Sequence, residues 1–127
     1  MLQYQCAIPW GNERACMRSL LDEIAHSGQA SFLAVIKTFG DRPSPGMLSF
    51  PRPGATLALD FPNRGQETFS VMSRLDDIVR TAGGALYPAK DGRMPAHMFK
   101  VAYPRWETFA AYKDPRMSSD FWRRVAA

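Results

Sequence analysis

The amino-acid sequence predicts an α+β fold of ferredoxin-like type: an antiparallel sheet in βαββαβ order with two helices on one face, followed by a helical tail. Three observations carry that reading. Residues 2–8, 32–39 and 56–61 have the two-residue periodicity of strands. Residues 13–27 and 66–82 carry apolar stripes at helical spacing, and each is stopped by glycine. A further short apolar segment, 85–88, follows the second helix. At 127 residues the chain is long enough for one domain with its own core. It divides into a ferredoxin-like unit over 1–92 and a tail over 93–127.

In the first strand Tyr4, Cys6 and Ile8 point one way, and Gln3, Gln5 and Ala7 the other. Pro9 and Gly11 break it, and Asn12 suits the N-cap of the helix that follows. That helix places Met17, Leu20, Leu21 and Ile24 on its apolar stripe and ends at Gly28. His26, in its last turn, is read as a favourable partner of the helix dipole rather than a catalytic base. Residues 32–39 are apolar on both sides, Phe32, Ala34, Ile36 and Thr38 against Leu33, Val35, Lys37 and Phe39. Such a pattern predicts a central strand covered on both faces. Lys37, near its far end, then either snorkels into solvent or has a function.

Residues 40–53 form a loop with four prolines. The third strand turns Leu57, Leu59 and Phe61 inward and Thr56, Ala58 and Asp60 outward. After a turn at 63–65, the second helix buries Phe69, Met72, Leu75, Val79 and Ala82, and Gly83-Gly84 stops it. In the tail, Pro95 sits at the start of a helix carrying Met98, Phe99 and Ala102. Pro104 opens another with Trp106, Phe109 and Ala110. Ser119 suits the cap of a last turn through Phe121, Trp122 and Arg123. These aromatics read as packing.

Composition narrows the function classes. The net charge is +4, with basic residues spread along the chain rather than drawn into a stripe, so no nucleic-acid partner is expected. Cys6 and Cys16 form no metal-binding spacing, and two thiols without an export signal are expected to stay reduced. No metal site is expected. No apolar run approaches the roughly 18 residues of a membrane span. The N-terminus lacks the charged and apolar regions of a signal peptide, so the expected location is cytoplasmic. A strand that begins at residue 2 suggests the C-terminal part of something longer.

With the helix-facing sides assigned, the opposite face of the sheet carries Gln3, Gln5, Leu33, Val35, Lys37, Phe39, Thr56, Ala58 and Asp60. It is too polar for a second core and too apolar for a bare surface. Such a face suits a binding surface, a domain interface or sheet-on-sheet packing of two copies. No nucleophile is paired with a base, and no glycine-rich phosphate loop is present, so a self-sufficient enzyme is not indicated.

Five segments in this order carry a resemblance: QYQCAIP, LAVIKTFG, LSFPRPGATLALDFPNR, GGALYPAKDGRM and YPRWETF followed by DPRMSSDFWRR. Together they make the whole chain similar to the C-terminal substrate-binding half of FAD-linked oxidases, nearest the branch acting on polyprenylphosphoryl sugars, with sugar-lactone oxidases further off. The resemblance implies a cap domain that lays its open sheet over a flavin. The FAD is held by a domain absent from this chain, which would be its partner, with a small-molecule alcohol as substrate. It implies pocket roles for Gln3, Gln5, Lys37, Phe39, Thr56 and Ala58. Lys90 would be the catalytic residue, near the flavin's pyrimidine end where a fixed cation favours reduction, with Tyr87 beside it. Some relatives carry asparagine where this chain has Thr56 and cysteine where it has Ala58. The expected function is the substrate-binding part of an FAD-dependent oxidoreductase acting on a CH–OH group, silent by itself. The alternative is a non-enzymatic ferredoxin-like module that dimerises through its open sheet.

Overall fold

The alternation of the N-terminal segment folds as strand β1 (Leu2–Ile8), the spine of a four-stranded sheet. The computed structural model describes residues 1–29, 33–90 and 92–127. Helix α1 (Glu13–His26) leads to β2 (Ala34–Phe39) and β3 (Gly54–Phe61). Helix α2 (Gln66–Thr81) then returns the chain to the short β4 (Ala85–Leu86). The strand order β2-β3-β1-β4, with every neighbouring pair antiparallel, is the expected ferredoxin-like sheet. Tyr4, Cys6 and Ile8 stand in register with Leu59, Leu57 and Ala55. Cross-strand partners share a face, so one inward layer forms against the helices.

That layer is closed by Leu20 and Ile24 of α1 and by Val71, Met72, Leu75 and Val79 of α2, all buried. Each fully buried Leu or Val contributes about 1.5–3 kcal/mol of transfer free energy. Two details of the expected stripes change. Leu21 is 41% exposed, and Cys16 takes the inward position on α1. Asn12 occupies the N-cap without a side-chain bond, and the Glu13 carboxylate instead accepts from the backbone N–H of Gly11 at 2.6 Å.

The larger correction concerns β2. A central, doubly covered strand was expected, but β2 is an edge strand bonded only to β3 among the described residues. Leu33 and Ile36 are each 56% exposed. Ile36 pairs with Leu57 and so points to the helix side, yet it overhangs the helices, which pack over β1, β3 and β4. Phe32, expected beside it, lies outside the described residues.

A 3-10 turn (Pro88–Lys90) follows β4, and the tail contains α3 (Ala96–Ala102), α4 (Trp106–Ala110) and α5 (Asp120–Ala126). The Ser119 side chain accepts from the backbone N–H of Trp122 at 3.1 Å, the cap expected from sequence. Met94, Met98, Phe99, Tyr103 and Val125 join the same apolar cluster as the sheet and helices. The buried Tyr103 hydroxyl donates to the carbonyl of Leu86 at 2.6 Å, fastening the tail to β4. No helix among the described residues is long and apolar enough to cross a membrane.

Candidate functional site on the helix-free sheet face

Register decides which polar side chains meet. On the helix-free face Gln3 stands opposite Asp60, Gln5 opposite Ala58, Val35 opposite Ala58, and Lys37 opposite Thr56. Three strands therefore bring two amides, a carboxylate and a lysine onto one patch. Lys90 is added from outside the strands. The backbone N–H of Tyr87 donates to the carbonyl of Gln5 at 2.8 Å, extending the β4–β1 pairing. The next turn closes with Lys90 N–H donating to Tyr87 carbonyl at 3.2 Å. This geometry swings Lys90 to the edge of the patch.

The result is a shallow depression of about 120 Å³ lined by Gln3, Gln5, Leu33, Val35, Lys37, Ala58, Asp60 and Lys90, with Tyr4 and Leu59 beneath. Its charged side chains are two lysines and one carboxylate. Neither lysine forms an ion pair among the described residues. Two ammonium groups beside amide donors and a carboxylate can hold a polyol and bias it toward negative charge. The depression is far smaller than the roughly 300–1,000 Å³ of an enclosing ligand pocket. It fits one face of a planar ring or a single sugar, and does not fit a whole dinucleotide.

Phe39, Thr56 and Tyr87, placed on this face by sequence, do not line the depression. Phe39 and Tyr87 instead pack against Phe50, a residue that sequence reasoning passed over. Phe50 is 3% exposed, stacks on Tyr87 with ring centroids 4.6 Å apart, and meets Phe39 edge-on at 5.8 Å. Thr56 is buried and accepts from the Gln5 amide at 3.2 Å, which fixes that side chain. The proline-rich loop thus folds back over part of a face expected to be open. Its hold is Arg52, which donates to the carbonyls of Phe50 and Ala102 and lies 5.1 Å over the Tyr103 ring. Burial pulls the Arg52 pKa down, opposed by the Tyr103 hydroxyl. A lone phenylalanine between prolines was the available signal.

Elsewhere the chemistry is quiet. The Cys6 thiol is buried and its pKa is pushed up to about 12, chiefly by burial and then by the neighbouring Cys16. No three metal-binding side chains gather among the described residues. His26 Nδ1 donates within its own helix turn to the Asp22 carbonyl at 2.6 Å.

No family model matches the chain. Over 98% of its length it is 38% identical to decaprenylphosphoryl-β-D-ribose oxidase of Mycolicibacterium smegmatis, 27% of which is covered. The chain is homologous to one part of a larger oxidase. Over 96% of its length it is also 34% identical to a Streptomyces coelicolor protein described only as an uncharacterised protein in the mprA 5′ region, 34% of which is covered. It therefore spans about a quarter to a third of these relatives.

Proposed function

We propose that this chain is the substrate-binding, cap-like part of an FAD-dependent oxidoreductase that oxidises a CH–OH group of a sugar, lactone or polyprenylphosphoryl sugar. One observation carries the reading: in a homologue of part of an oxidase, Gln3, Gln5, Lys37, Asp60 and Lys90 converge in one depression on the helix-free sheet face. The flavin is held by another polypeptide or domain, because the depression can offer one wall to a ring but cannot enclose the cofactor. When bound there, FAD supplies the acceptor for the hydride.

This chain's residues bind and orient. The Gln3 and Gln5 amides and the Lys37 ammonium donate to substrate oxygens, and Asp60 accepts from a hydroxyl. Lys90 places a positive charge at the edge of the site. Phe39, Tyr87 and Phe50 form an apolar end wall that excludes water. Alone, the chain turns over no alcohol.

The test is a chimera in which this chain replaces the matched segment of the M. smegmatis oxidase. Anaerobic flavin bleaching by a polyprenylphosphoryl ribose, lost in Lys90→Ala, supports the reading. Bleaching that is indifferent to Lys90, Gln3 and Lys37 substitutions sinks it. A second reading, self-association of a non-enzymatic module through its open sheet face, is favoured by Leu33, which is half-exposed on that face. It predicts a dimer in light scattering that Leu33→Lys disperses.

A further inference from the structure

The chain's positive charge is not shared between its two parts. Residues 1–92 hold nine basic and nine acidic side chains, whereas residues 93–127 hold seven basic and three acidic, so the tail carries the whole net charge of +4. The same segment exposes Tyr112 at 77%, Met117 at 70% and Phe109 at 37%. The two features meet in a groove of about 630 Å³ whose lining includes Leu48, Phe109, Met117, Trp122, Lys113 and Arg116. Its walls are set by the core, since Trp122 packs on Phe109 at 5.5 Å and edge-on to Phe99 at 6.4 Å. The acidic side chain nearest its cations is Asp114, which pairs with Arg116 at 3.3 Å, while Lys113 donates to the carbonyls of Asp114 and Met117.

We infer that this groove docks a protein, namely the polypeptide corresponding to the remaining two-thirds to three-quarters of the relatives' length. An open apolar surface flanked by cations suits a partner that packs an aromatic or leucine anchor against it and sets carboxylates beside Lys113 and Arg116. The length of the relatives that this chain leaves unmatched favours a protein over a lipid surface as the occupant. Leu48, in the groove wall, is two residues from Phe50, which packs against Phe39 and Tyr87. One loop thus joins the groove to the end of the sheet-face depression, and a single partner covers both. The inference rests on the reading that another polypeptide carries the flavin.

The test mixes the full chain with the part of the M. smegmatis oxidase outside the matched region and measures affinity by calorimetry. The expected result is a one-to-one complex that weakens at least tenfold with Lys113→Glu plus Arg116→Glu, and likewise with Met117→Glu. It also weakens between about 50 and about 500 mM salt. Circular dichroism and melting curves of these surface variants stay as in the parent. No complex, or one indifferent to the tail variants, overturns the inference. So does variant-sensitive binding to phosphatidylglycerol vesicles in place of the polypeptide. A complex abolished by Val35→Glu but not by the tail variants leaves the sheet-face reading standing and removes the groove. The chimera's flavin bleaching judges that reading separately.

Discussion

Arg93 donates to the Asp76 carboxylate at 2.7 Å, with both side chains largely shielded, and this pair ties the segment after Lys90 to helix α2. Tyr4, on the helix side of β1, shares the environment. Burial, and then the charges of Cys6 and Asp76, hold its phenol protonated well above the usual range. The pair therefore anchors to helix α2 the segment that begins three residues after Lys90, the lysine at the rim of the sheet-face depression.

Removing one partner takes this short ion pair from a largely shielded charge. Asp76→Ala is expected to cost about 3 kcal/mol, read as a lower midpoint in urea unfolding. The neutral double substitution Asp76→Leu with Arg93→Met should recover most of the loss. A double variant as weak as the single would show that the pair does not act as a unit.

Tyr103→Phe removes the bond to the Leu86 carbonyl and leaves that buried acceptor unmet. The expected cost is about 1–3 kcal/mol, with amide exchange at β4 accelerated more than in α1. Uniform acceleration across the domain would contradict the role of Tyr103 as the tail's local fastening.

Gly54 opens β3 with φ of +150°, and a Cβ there would run into the carbonyl oxygen of Ile8. Gly54→Ala should cost more than the roughly 1–3 kcal/mol of backbone strain alone, because β1 itself must shift. Gly65→Ala, at φ +65° but facing open space, should cost about 1 kcal/mol. Thermal melts of the two variants check the ranking.

Unfolded Cys6 releases its proton near its ordinary pKa of 9.0, and folded Cys6 only near about 12. The folded chain therefore holds an extra proton in that window and loses stability as pH rises through it. The slope is on the order of 1 kcal/mol per pH unit. Cys6→Ala should flatten the fall in melting temperature between about pH 9 and about pH 11, and an unchanged slope would assign it to other groups.

Lys37 is exposed at the sheet edge, so Lys37→Ala should change stability by under about 0.5 kcal/mol. In the oxidase chimera it should lower flavin reduction by at least tenfold. A change in oligomer mass with no change in reduction would instead assign the face to self-association.

Local pattern determined most of the framework. Period-two alternation put Gln3, Gln5, Lys37, Ala58 and Asp60 on one face, and helical spacing found α1, α2 and the Ser119 cap, because each signal lies within a few residues of itself. Tertiary structure decided the rest. A strand apolar on both sides reads alike whether it is central or an overhanging edge, so only sheet order revealed β2 and the exposed Ile36. Phe50 reaches Tyr87 across 37 positions of sequence, and Asp76 reaches Arg93 only because helix, strand and turn bring them together. Alternation fixes which way a side chain points from its own backbone, whereas what it meets depends on how distant segments pack.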